Sequence, residues 1–169
     1  DNGTAPYAAL VNPSGVTTPL SGPALPAGAG TIFSVAINPS GAAIIGGEDN
    51  GTAPFAALVN SSGVTTALSG PAIPSGTGRI FSVAINNSGA AIVGGIDSGT
   101  APFAALVNPS GATTTLSGPA LPSGNGAIRS VAINASGSAI IGGEDNGFSS
   151  GYAALITPSG VTSALSGPL

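Results

Sequence analysis

The chain has 169 residues, a formal net charge of −4, and no Cys, Met, Trp, His or Lys. Its only cations are Arg79 and Arg129, too few to neutralise nucleic-acid phosphates or to dock on anionic membranes. No apolar run reaches the ~18 residues that cross a bilayer as a helix, and without His or Lys the many serines have no base to activate them.

A single pattern recurs from the first residues onward. Tyr7-Ala8-Ala9-Leu10-Val11 is a short apolar run, Asn12-Pro13-Ser14-Gly15 a turn, and Val16-Thr17-Thr18-Pro19-Leu20 a second run. Proline's fixed φ suits the first central position of a type I turn, Asn caps it, and Gly takes the left-handed conformation that follows. Such a turn reverses the chain into an antiparallel hairpin. A second unit of the same design follows: Phe33 to Ile37, the turn Asn38-Pro39-Ser40-Gly41, then Ala42 to Ile45.

These two half-units then repeat together. Residues 1–48 and 49–96 differ at 10 of 48 positions, 97–144 form a third copy, and 145–169 are half of a fourth. Ser61, Asn87 and Ala135 replace the turn proline in later copies. The pattern predicts seven hairpins, near 7–20, 32–46, 55–68, 80–94, 103–116, 128–142 and 152–165. The runs are too short, and too punctuated by Gly and Pro, for helices.

Polarity orders the hairpins. Ile80 to Ile85 and Ala91 to Gly94 are apolar or small on both faces, as in covered strands. Val64-Thr65-Thr66-Ala67-Leu68 mixes in polar residues, as an outer strand does. The expected unit is a four-stranded antiparallel sheet running from most buried to most exposed, and radial repetition of such sheets is a β-propeller. The alternative, a β-solenoid, stacks parallel strands and conflicts with tight reversals. The chain therefore reads as one all-β repeat domain, 1–169, of about three and a half blades: an orphan outer hairpin at 7–20 and blades at 32–68, 80–116 and 128–165.

Ser82-Val83-Ala84-Ile85-Asn86, the turn Asn87-Ser88-Gly89, Ala90 to Gly95, and Asp97-Ser98-Gly99-Thr100 resemble the first two strands and the Asp-Gly turn of tryptophan–aspartate (WD) repeat β-propellers. Phe103 to Val107 falls where their third strand lies, and Ala112 to Leu116 where the outer strand lies. The likeness is one of strands and turns over the whole chain, without the Trp-Asp and Gly-His signatures. It implies a propeller with a related blade.

An arc of three and a half blades leaves apolar faces and unpaired edges at both ends. That predicts self-association, most simply as a homodimer, or completion by another piece of a longer propeller. Near-identical copies also fit a recently amplified or designed repeat protein without a specific ligand.

Few residues carry candidate chemistry. Asp49, Asp97 and Asp145 recur in one loop class, either as sparse calcium ligands or, with fewer assumptions, as turn formers. Arg129 stands where Phe33 and Phe81 stand in other copies. It lines a channel or a chain–chain interface, or it snorkels to an open end. Arg79 reads as a loop charge. The Pro-stiffened connection Ser21 to Gly30 is either a binding rim or a spacer that turns Leu25, Ile73 and Leu121 inward.

No catalytic residue and no cofactor is expected. The leading functional expectation is a non-enzymatic interaction scaffold, extracellular or on a bacterial cell surface. The alternative is a carbohydrate-binding propeller with one site per blade junction.

Overall fold

A computed structural model describes residues 6–22, 25, 28–70, 73–74, 76–98, 100–118, 124–145, 147 and 149–165. These form fourteen strands in one two-stranded and three four-stranded sheets, every pair within a sheet antiparallel. The first sheet is β1 (Ala9–Val11) with β2 (Thr17–Pro19). The second runs β3 (Gly30–Ile37), β4 (Ala43–Asp49), β5 (Ala53–Val59) and β6 (Thr65–Ala67). The third runs β7 (Gly78–Ile85), β8 (Ala91–Asp97), β9 (Ala101–Val107) and β10 (Thr113–Thr115). The fourth runs β11 (Ala127–Ile133), β12 (Ala139–Asp145), β13 (Ser150–Ile156) and β14 (Thr162–Ala164). Strand order follows chain order throughout, so ladder-like parallel rungs are excluded.

The seven Asn-x-Ser-Gly-type reversals take the form the sequence predicts. Each closing glycine, Gly15, Gly41, Gly63, Gly89, Gly111, Gly137 and Gly160, has φ between 81° and 88°. At the first turn the Asn12 Oδ1 accepts from the Ser14 and Val16 amides at 3.0 and 2.9 Å, and five further turns repeat this cap. In the seventh, Thr157 stands in for Asn, and its Oγ1 accepts from Val161 N at 3.1 Å.

Burial departs from the expected inside-to-outside gradient. The most covered strands are the second ones, β4 and β8, buried at six consecutive positions. The first strands, β3, β7 and β11, are sheet edges and only partly covered. An edge strand has one hydrogen-bonded neighbour, whereas the second strand has a neighbour on each side and a sheet against each face. Each first strand also carries a β-bulge against its partner, at Phe33, Phe81 and Arg129.

Successive sheets share cores. Ile44 and Ala56 of the second sheet pack with Ile80, Val83 and Val93 of the third. Ile92, Ala104 and Leu106 of the third pack with Ile128, Val131 and Ile141 of the fourth. Among the described residues no strand pairing joins the first sheet to the last.

Candidate functional site

The junction between neighbouring sheets is the feature that recurs, and it is built from four parts at fixed offsets. The first is a socket. A Cβ added at Gly46 would lie 2.6 Å from Ile80 Cγ2 and 2.7 Å from Val83 Cγ1. Gly94 repeats this with Ile128 and Val131 at 2.6 and 2.7 Å. The glycine that follows does different work. A side chain at Gly47, Gly95 or Gly143 would overlap the carbonyl oxygen of Thr31, Arg79 or Ala127 beside the bulge of the first strand. In the first two Gly-Gly pairs one glycine admits the next sheet, and in all three the other admits its own bulge.

The second part is a polar clasp. Asn38 Nδ2 donates to the Asn86 carbonyl at 3.0 Å, and Asn86 Nδ2 donates to the Asn134 carbonyl at 3.0 Å. Beside it, the Val83 amide donates to Ser34 Oγ at 3.1 Å and the Val131 amide to Ser82 Oγ at 3.2 Å.

At the outer edge the third part is a short parallel bridge. Ser21, Ser69 and Ser117 each pair with the outer strand of the next sheet, at Val64, Ala112 and Val161. Thr65, Thr113 and Thr162 each return backbone and side-chain hydrogen bonds to those serine carbonyls. From there the connection crosses to the first strand. Leu25 and Ile73 pack against the cores they span, as a spacer requires, while Leu121 lies outside the described residues.

The fourth part is a cleft at the turn end of each junction. One of about 290 Å³ is lined by Asn38, Ser40, Leu58, Thr66, Ser88 and Pro109. Its repeat, about 250 Å³, is lined by Asn86, Ser88, Leu106, Thr114, Ser136 and Pro158. Amide, hydroxyl and aliphatic groups mix in both, with no charged side chain among the residues lining them.

The sequence-predicted residues fall elsewhere. Asp49, Asp97 and Asp145 end β4, β8 and β12, and each carbonyl accepts a turn hydrogen bond, from Thr52, Thr100 and Ser149 at 3.0, 3.0 and 3.1 Å. They stand at the ends of three separate sheets, and among the described residues no three His, Cys, Asp or Glu side chains gather. The Asp49 Oδ1 is buried without a hydrogen-bond partner among those residues.

Arg129 sits in the bulge of β11 with its side chain half exposed. The guanidinium lies 4.7 Å from the Phe81 ring centroid, and Nη2 is 3.3 Å from Glu144 Oε2. Phe33 and Phe81 are themselves 6.1 Å apart, so the three bulge residues form one row along the sheets' first edges. This cation–π contact explains how a cation occupies a phenylalanine position without being buried alone. Arg79, expected as a loop charge, reaches back across the junction to Glu48 of the preceding sheet. Spacing alone could not announce that pairing, because the partner lies in a different repeat.

Comparison with protein-family models and with curated proteins finds no match.

Proposed function

We propose that this chain is a non-enzymatic interaction scaffold of the β-propeller type, its four-stranded sheets acting as WD-like blades, and that it completes its array by association with further copies. The observation that carries this reading is an unequal pair of ends. Gly46 and Gly94 are filled sockets, whereas a Cβ at Gly142, the same position in the fourth sheet, would meet only the Tyr152 carbonyl at 3.8 Å. At the other end Val35 is 65% exposed, while its repeats Val83 and Val131 are 6% and 9% exposed. Ile140 and Leu155 are exposed beside Gly142 as well. Both faces lack the neighbour that the interior junctions have, the Val35 face beside the β1–β2 hairpin that already covers the outer half of its sheet, and burying one such aliphatic side chain contributes about 1.5–3 kcal/mol.

Low charge density and richness in Gly, Ser, Thr, Asn and Pro support an exported, cell-surface setting. Sedimentation and native mass spectrometry test the association. A defined oligomer that Ile140→Asp weakens is expected, and a folded monomer at all micromolar concentrations would end the proposal.

The repeated polar cleft favours a second reading, carbohydrate binding with one site per junction. It lacks an aromatic platform for sugar stacking, so hydroxyl and amide hydrogen bonds would carry recognition. A glycan array without signal would dispose of it.

A further inference from the structure

The first sheet consists of the outer half of the repeat alone. β1 and β2 pair at Ala9↔Pro19, Leu10↔Thr18 and Val11↔Thr17, the register of β5 with β6 and of β9 with β10. In those sheets the other edge of the third strand is paired along seven positions, by β4 and β8. Among the described residues β1 has no such neighbour. In its place is an apolar notch of about 280 Å³, walled by Ala8, Leu10 and Val11 on one side and by Val35, Ile37 and Ile45 on the other.

We propose that this notch is an acceptor for a two-stranded β-hairpin of the kind formed by Gly78–Asp97, supplied by another chain that carries the same repeat. The fit follows from the junctions already described. Aligned as β8 lies on β9, the guest's second strand would set Val93 opposite Ala9, Ile92 opposite Leu10 and Ala91 opposite Val11. Its Gly94 would then cover Ile32 and Val35, as Gly46 covers Ile80 and Val83. The guest's Ser82 Oγ would accept from the Val35 amide, and its Asn86 Nδ2 would donate to the Asn38 carbonyl, completing a third clasp of the observed type. Strand addition to an open edge supplies affinity through the backbone, and the socket supplies selectivity. Closure of the array is not required, because the notch lies wholly within one chain.

The test is titration of the full chain, at a concentration where it is not associating further, with a synthetic peptide of residues 76–98. Calorimetry is expected to give saturable one-to-one binding, and amide exchange at Ala9, Val11 and Val35 should slow. The Gly94→Leu peptide should bind at least tenfold more weakly, as should the wild-type peptide to a Val35→Asp chain. Ser163→Asp, at an exposed position of β14, should leave binding unchanged. Absence of saturable binding, equal affinity of the Gly94→Leu peptide, or loss on Ser163→Asp instead would overturn the acceptor. The peptide variant decides the matter whether or not Val35→Asp folds.

Discussion

The side-chain amide of Asn38 donates to the backbone carbonyl of Asn86, forty-eight residues on, while its own oxygen caps the turn that contains it. Asn86 does the same toward Asn134. One residue type therefore both shapes a hairpin and ties that hairpin to the next sheet.

That double duty separates inner from outer turns. Asn86→Ala removes two backbone caps, the acceptor of the Ser88 hydroxyl and the inter-sheet bond at a buried site, and should cost about 2–4 kcal/mol, at roughly 1 kcal/mol per hydrogen bond. Asn108→Ala removes only an exposed cap and should cost about 1 kcal/mol. Urea unfolding of both variants checks the ratio. Equal losses would mean that the clasp contributes nothing.

The two glycines of one Gly-Gly pair should respond to alanine in distinct ways. Gly94→Ala presses a methyl against Ile128 and Val131, which can shift, and should destabilise by about 1–3 kcal/mol. Gly95→Ala drives it into the Arg79 carbonyl, where backbone must move, and should exceed that range. At the open end Gly142→Ala should fall within about 0.5 kcal/mol of wild type, as surface changes do. Thermal melts of the three order the series.

Ser98 sits at φ 48°, where the equivalent Asn50 also has φ 48°. Asn tolerates the left-handed region and Ser does so poorly. Ser98→Asn or Ser98→Gly should therefore raise stability by about 0.5–1 kcal/mol. A lower melting midpoint for both would refute the strain.

Tyr152 gives an alkaline signature. Burial, with the Asp145 carboxylate nearby, pushes its hydroxyl up to about 12 from an ordinary 10, and the hydroxyl has no hydrogen-bond partner among the described residues. The folded state thus favours the protonated form. Its contribution is fully present below pH 10 and is lost as pH rises from 10 through 12. Tyr152→Phe should be close to neutral at pH 7 and should flatten the decline in melting temperature between pH 10 and 12. An unchanged decline would assign it to other groups.

Sequence reasoning reached the hairpins because their cause is local. Asn at one end of the reversal and Gly at the other specify the turn without reference to anything distant. Sheet membership was also legible, through the polarity of Thr65 and Thr66 against the apolar β4. The contents of the junction were not. That Gly46 is a socket depends on Ile80 lying across it, and that Arg79 pairs with Glu48 depends on which sheet faces which. Both are relations between copies, and a repeat shows what recurs without showing what touches. The ranking of strands by burial missed for a related reason: Ile80 to Ile85 is apolar enough for a centre strand, yet its place at an edge is set by topology.

The constant forty-eight-residue offset of the clasp has a consequence for how such a chain changes over generations. Every step from one sheet to the next reuses the same bonds, so gain or loss of one whole repeat lengthens or shortens the protein without inventing a contact. A shift of another length between inner turns would strand Asn, Ser and Gly opposite partners that cannot receive them, whereas the outer hairpin of the fourth sheet takes in one extra residue and keeps the Thr162–Ser117 bond at an offset of 45 instead of 44.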